Sequence, residues 1–284
     1  MGEKGTVEQP EDLKALDDVV EGFRDRDVEV VCINGGDGTI HKTLTAMVKA
    51  YGEKPLPKIA LLKGGTMNTV AHGLRIKGRP ADLMESILAR YHQGDPLPTT
   101  RRWLLKVNGE HYGFLFGMGM VPKFLKEYYT GSEPTPTKGL WLVVKTVISV
   151  ITGGALAQRV VTPTKIRATM DGRLWQDRMI STIVVGSVDD IGFGLLAFFK
   201  ALLYPGKMHA LSFGSNPLDI IREIPRMLRA RSATQPDVHD SVGEKLVISG
   251  DGPIRWMIDG DGYEPSQIVT VEIGPPVDLV LPTR

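Results

Sequence analysis

Val28-Glu29-Val30-Val31-Cys32-Ile33 runs directly into Asn34-Gly35-Gly36-Asp37-Gly38-Thr39, after which Ile40, Leu44, Met47 and Val48 recur at helical spacing. A β-branched run, a glycine turn and a 3.6-residue period in succession predict strand, turn and helix. The same order repeats at once, with Lys58 to Leu62 as strand, Lys63-Gly64-Gly65-Thr66 as turn and Met67 to His72 as a short helix. Two such units in a row predict a parallel α/β layer. Upstream, Pro10 to Arg26 places Leu13, Leu16, Val19, Val20 and Phe23 on one helical face, with Glu11 and Asp12 in the first turn where the helix dipole favours anions.

Beyond Pro96 and Pro98 the pattern changes to short alternating or apolar runs at Trp103 to Val107, Tyr112 to Phe116, Lys165 to Met170 and Met179 to Val185, with turn pairs at Asn108-Gly109 and Asp171-Gly172. Gly131 to Thr137 and Arg231 to Gly243 read as polar loops, and Leu140 to Ile151 and Gly194 to Leu203 as apolar helices. The predicted fold class is α/β plus β: an N-terminal parallel α/β nucleotide-binding layer over 1–98, rejoined by 266–284, and a β-rich domain over 99–265.

The composition excludes several classes. Lys plus Arg is 34 against 33 Asp plus Glu, so no strong basic field marks a nucleic-acid partner. One cysteine, Cys32, rules out an internal disulfide framework and a multi-cysteine zinc site. No uncharged run approaches the ~18 apolar residues of a membrane span, and Met1 to Gln9 lacks the apolar core of a secretory signal, so the expected location is cytoplasmic. Met1-Gly2 followed by Thr6 fits the myristoylation pattern only loosely.

Glycine turns between strand and helix bring bare amides and a helix N-terminus up to an anion, so both turns suit phosphate. They also suit plain tight turns with positive φ. Thr39 and Thr66 each offer a hydroxyl. Asp37 stands between two roles, because a carboxylate beside phosphate must either reach a cation or brace the loop's amides. There is no Gly-x4-Gly-Lys-Ser/Thr, no His-Glu-x-x-His and no Gly-x-Ser-x-Gly, and Gly192 to Ala197 fits a dinucleotide fingerprint without a βαβ unit around it. Trp256-Met257-Ile258-Asp259-Gly260-Asp261-Gly262 sets two carboxylates where an apolar strand breaks, as a general base for phosphoryl transfer or as a solvated hairpin turn.

In order along the chain, Asn34-Gly35-Gly36-Asp37-Gly38-Thr39, Gly65-Thr66-Met67-Asn68, Phe116-Gly117-Met118-Gly119, Asp259-Gly260-Asp261 and the Ile268 to Pro282 ending resemble the landmarks of the diacylglycerol kinase and sphingosine kinase catalytic family. The first landmark is shared with NAD kinases. The resemblance implies a nucleotide domain, a β-sandwich holding a lipid, ATP in the cleft between them and Mg²⁺ as companion. It puts nucleotide binding on Asn34, Gly35, Gly36, Asp37, Gly38, Thr39, Gly65, Thr66 and Asn68, and catalysis on Asp261 as base with Asp259 beside it. Departures are the missing first strand with its Asn-Pro loop, and Thr69, Val121, Pro205 and His209 at positions where the family carries acids. Asp261 replaces a glutamate, which draws the base back by about 1.5 Å. The implied activity is an ATP-dependent lipid kinase acting on a diacylglycerol-like or sphingoid hydroxyl. The alternatives are a catalytically impaired lipid- or nucleotide-binding homologue and an NAD-kinase-like enzyme.

A lipid substrate implies contact with a membrane surface. Gly192 to Tyr204 gathers Phe193, Leu195, Leu196, Phe198, Phe199, Leu202 and Leu203, which serve as core or as lipid contact. In Asn216 to Arg231, Asn216 caps a helix opened by Pro217, and Arg222, Arg226 and Arg229 form a basic stripe that is a solvated face or a headgroup contact.

Overall fold

The computed structural model describes residues 5–130, 135–192 and 194–281. The Met1-Gly2 pair, the 131–134 part of the predicted loop, Phe193 and the Pro282 end of the closing stretch lie outside them.

The chain begins α1 (Leu13–Asp25), β1 (Val30–Ile33), α2 (Asp37–Tyr51), β2 (Lys58–Leu61), α3 (Thr69–Gly73) and α4 (Pro80–Gln93). It continues β3 (Thr99–Val107), β4 (His111–Gly113), β5 (Leu115–Gly119), α5 (Met120–Tyr129), α6 (Pro136–Thr152) and α7 (Ala155–Val160). Then come β6 (Thr164–Met170), β7 (Arg173–Ile180), β8 (Thr182–Gly186), α8 (Lys200–Leu203) and β9 (Met208–Phe213). The chain closes with α9 (Pro217–Met227), β10 (Val238–Gly243), β11 (Lys245–Ile258) and β12 (Asp261–Val280).

β1 and β2 pair in parallel from Val30 with Lys58 to Ile33 with Leu61, as the doubled strand-turn-helix unit predicts. α2 buries Ile40, Leu44, Met47 and Tyr51, one turn apart on a single face, against that pair. Asp12 caps α1, its carboxylate accepting the Ala15 N–H at 2.7 Å. The remaining strands are mostly antiparallel, in a 12-stranded sheet with the main order β1-β2-β12-β11-β5-β8-β9-β10. β12 is the link between the two styles: Leu279 pairs in parallel with Ile59, while other residues of the same strand pair antiparallel with β11 and β3. A second core of Phe116, Ile166, Ile183, Ile248 and their neighbours fills the antiparallel part. The α/β plus β class therefore holds.

Several expected elements differ. Arg231 to Gly243 is not all loop, because Val238–Gly243 forms β10 on β9. As the end of the strand order it is paired on one side only, which is where a polar strand is tolerated. Gly194 to Leu203 is helical only over Lys200–Leu203, since Gly194 sits at φ +74° and the Phe198 N–H turns back to Asp189 O at 3.0 Å. Met179 to Val185 breaks at Ser181, where the chain leaves its pairing with β6 and joins β5 and β9. The short helix after the second turn starts at Thr69, because Asn68 adopts a left-handed conformation at φ +49°.

Candidate active site

The first glycine turn is positioned by the helix behind it. Gly36 is the N-cap of α2 and has no side chain to cap it, so the cap residue satisfies none of the opening amides of this 15-residue helix. Thr39 and Asn34 are exposed at the same turn. Thr39 also packs so closely over Gly35 that a Cβ there would meet its side chain.

The second turn lies directly against the first. A Cβ on Gly36 would stand 3.3 Å from the Gly65 Cα, and one on Gly65 would collide with the Gly36 backbone. Bare backbone is therefore required by contact between the turns, and the two runs the sequence singled out converge on one spot. Thr66 is exposed there. Asn68 is buried and braces the turn: its amide donates to Gly65 O at 2.5 Å and its Oδ1 accepts the Gly65 N–H at 3.1 Å. Asp37 joins the turns, its Oδ2 accepting the Thr69 N–H at 3.0 Å. Burial pushes the Asp37 carboxyl above its ordinary range, against the pull of hydrogen bonds from Thr69 and Val70. Of its two expected roles, the loop brace is visible in these bonds, while its Oδ1 is buried with no hydrogen-bond partner.

The hairpin between β11 and β12 supplies the third part. Asp259 and Gly260 both have positive φ, at +45° and +89°, the pairing that a two-residue hairpin turn needs. This turn is not simply solvated. Asp259 is 4 % exposed and accepts the Phe114 N–H at 2.9 Å and the Leu115 N–H at 2.8 Å, bracing the break between β4 and β5. Burial, with Asp37 and Asp261 adding negative charge nearby, pushes its carboxyl up to about 8 despite those N–H donors. Asp261 points the other way, toward the first turn: a Cβ on Gly38 would lie 3.1 Å from each of its carboxylate oxygens. Lys42, one turn further along α2, stands 3.4 Å from Asp261 Oδ2.

Residues 3–95 match the diacylglycerol kinase catalytic domain family. The match runs from before α1 to just past α4 and contains both glycine turns. A Staphylococcus epidermidis protein named as a candidate lipid kinase is 21% identical over 240 residues, covering 83% of this chain and 71% of that one. Two crystal structures of candidate diacylglycerol kinases from Bacillus anthracis share the fold, with TM-scores of 0.68 and 0.66 at 14% identity, each covering 97% of this chain and 84% of theirs. The resemblance to the diacylglycerol kinase family thus holds over residues 3–95, and the fold of the candidate diacylglycerol kinases extends over nearly the whole chain.

Within this diacylglycerol-kinase-like chain, the positions that depart from the family pattern have other uses. Thr69 donates its N–H to Asp37, and Val121 packs on Gly117. His209 is fully buried and its Nε2 lies 2.9 Å from Asp240, whose carboxylate also takes Lys200 Nζ at 2.6 Å. Among the described residues no cluster of three or more His, Cys, Asp or Glu side chains is arranged to hold a metal.

Sequence reasoning missed Lys42 and the support behind the hairpin. His41 is buried on the inner side of α2, with Nδ1 2.7 Å from Tyr112 O and Nε2 2.5 Å from the Tyr263 hydroxyl. A carbonyl only accepts, so Nδ1 carries the proton and the Tyr263 hydroxyl donates to Nε2. Burial holds His41 below its ordinary range, in keeping with that neutral ring. Tyr263 also stacks on Trp256 at 4.7 Å, which fixes β12 beside Asp261. A helical spacing of Lys42 from Gly38 was the available signal.

Proposed function

We propose that this chain is a kinase that transfers the terminal phosphoryl group of ATP to a hydroxyl of a diacylglycerol-like or sphingoid lipid. The observation that carries the reading is the approach of Asp261 to Gly38, which brings a carboxylate to the mouth of a double glycine turn. ATP supplies the phosphoryl group and ADP as leaving group. The amides of Gly35 to Thr39 and of Gly65-Thr66, with the α2 N-terminus, suit its phosphates, and a cradle that a Cβ would fill fits that use. Asp261 orients the lipid hydroxyl and takes its proton as the new O–P bond forms. Lys42, 3.4 Å from Asp261 Oδ2, keeps that carboxylate aimed, and Asp259 holds the hairpin from behind. Mg²⁺ in such sites is bound largely by phosphates with one or two carboxylates. Asp37 Oδ1, which has no hydrogen-bond partner, and Asp261 Oδ2, whose ionic neighbour is Lys42 at 3.4 Å, are the protein oxygens chemically suited to it.

In this reading 1–98 with 266–284 forms the nucleotide-binding lobe and 99–265 the lipid-binding lobe. The first test is transfer of labelled γ-phosphate from Mg-ATP to micellar diacylglycerol, sphingosine or ceramide and to soluble NAD. Asp261→Asn is expected to lower lipid phosphorylation by about 10²- to 10⁴-fold while nucleotide affinity stays within about threefold. Transfer to NAD alone, or no transfer and no ATP binding, would sink the proposal.

A further inference from the structure

Among the described residues, α6 carries an apolar stripe left exposed. Trp141, Val144, Ile148 and Ile151 are 58%, 40%, 52% and 63% exposed, and their spacing of three, four and three residues puts them on one face. Large side chains normally avoid this arrangement, and a contiguous exposed row marks an interaction surface. The helix contains Lys138 and Lys145 and no acidic residue. Lys145 Nζ lies 5.9 Å from the Trp141 ring centre, an indole and an ammonium side by side as at a water–lipid boundary.

The neighbouring helix sorts its charges in the same sense. α9 touches α6. Its acids, Asp219 and Glu223, are buried, Glu223 accepting the Thr234 and Gln235 N–H groups at 2.7 Å each. Arg222 is exposed but paired with Asp219 at 2.8 Å, while Arg229 and Arg231, just past the helix, are exposed together with Leu218 and Leu228. The outward field of the helix pair is therefore cationic around an apolar strip.

We infer that α6 and α9 form a docking surface for a bilayer carrying anionic headgroups; this rests on the lipid-kinase reading and names where the enzyme meets its substrate's membrane. No helix among the described residues is long and apolar enough to cross a bilayer, so α6 lies in the interface with Trp141, Val144, Ile148 and Ile151 toward the acyl chains. The arginines of α9 sit against headgroup phosphates. A second copy of the chain fits less well, since like surfaces would bring two cationic rims together.

The test is co-sedimentation of the full chain with vesicles of phosphatidylcholine alone and of equal parts phosphatidylcholine and phosphatidylglycerol. The wild-type protein is expected to pellet with the anionic vesicles, less with the neutral ones, and less as salt rises. Ile148→Glu and Arg229→Glu, each at an exposed site, are expected to weaken that binding about tenfold or more, with unchanged melting temperature. Phosphorylation of a short-chain lipid below its micellar concentration should stay at the wild-type level in both variants, which separates failure of docking from failure of catalysis. Equal binding to neutral and anionic vesicles, or wild-type binding by Ile148→Glu, would overturn the inference. So would absence of vesicle binding together with a dimer that Ile148→Glu dissociates, an outcome that assigns the stripe to a second copy.

Discussion

Asn34 to Thr39 and Lys63 to Thr66 are both glycine turns between a strand and a helix, yet they are held by different means. The first is anchored by α2, whose buried face of Ile40, Leu44, Met47 and Tyr51 ties it to the sheet and leaves its amides free of side-chain caps. The second leads into a helix of only five residues and is held by Asn68 from below and Asp37 from the side. A long helix supplies both rigidity and a field for an anion, while a short one must borrow rigidity from neighbouring side chains. The second turn is thus a wall against which the first is set.

The sharpest way to break this arrangement is Gly65→Ala. Its methyl group would enter the Gly36 backbone, where no side chain is present to swing aside. The expected cost is about 3 kcal/mol of stability, with nucleotide affinity down about a hundredfold, measured by denaturant unfolding and calorimetric titration. The neighbouring Gly64→Ala meets mainly the exposed Asn34 amide, which can swing aside, and stands 3.0 Å from the Gly35 backbone N, so it should cost about 1–2 kcal/mol, less than Gly65→Ala. Comparable losses in the two variants would contradict the claim that the turns touch through backbone. Asn68→Ala comes next. It removes both bonds to Gly65 and leaves a left-handed backbone on a residue that tolerates it poorly, for an expected loss of about 2 kcal/mol and a larger effect on the second turn's amide exchange than on the first's.

The smallest expected effect comes from the hairpin that faces both turns. Folded Asp259 keeps its proton up to about 8, whereas an unfolded carboxyl releases it near 3.8. Its stabilising contribution is therefore complete below 3.8 and is lost as pH rises through about 8. The nearby negative charges of Asp37 and Asp261 add to the penalty on its charged form. Stability measured across that window should fall with rising pH in the wild type and run flatter in Asp259→Asn. Identical pH profiles would mean that Asp259 is ionised in its buried site.

What the sequence made legible was local. Val30 to Ile33 followed by three glycines within five residues announces a strand and a phosphate-type turn, because both signals sit within one window. The positions of Asp259 and Asp261 were legible as a turn, but their opposite surroundings were not. The donors that bury Asp259 come from Phe114 and Leu115, more than a hundred residues earlier. β10 was hidden because an edge strand has no need of an apolar pattern on both faces. α6 was legible as an element but not in its setting: Leu140 to Ile151 reads as an apolar helix, and only the packing reveals that its apolar stripe faces outward.

β12 carries a further consequence for how the molecule is made. β2 has two neighbours in the sheet, β1 and β12, and the antiparallel strands reach it only through β12. During synthesis the open edge of β2 must therefore wait for residues 261–280. Until then the chain exists as two unjoined pieces of sheet, and the pairing that joins them spans more than two hundred residues, from Ile59 to Leu279. Contacts of that range form slowly. Asp261 opens the same strand, so one strand, translated long after β2, both closes the sheet and delivers the carboxylate to Gly38.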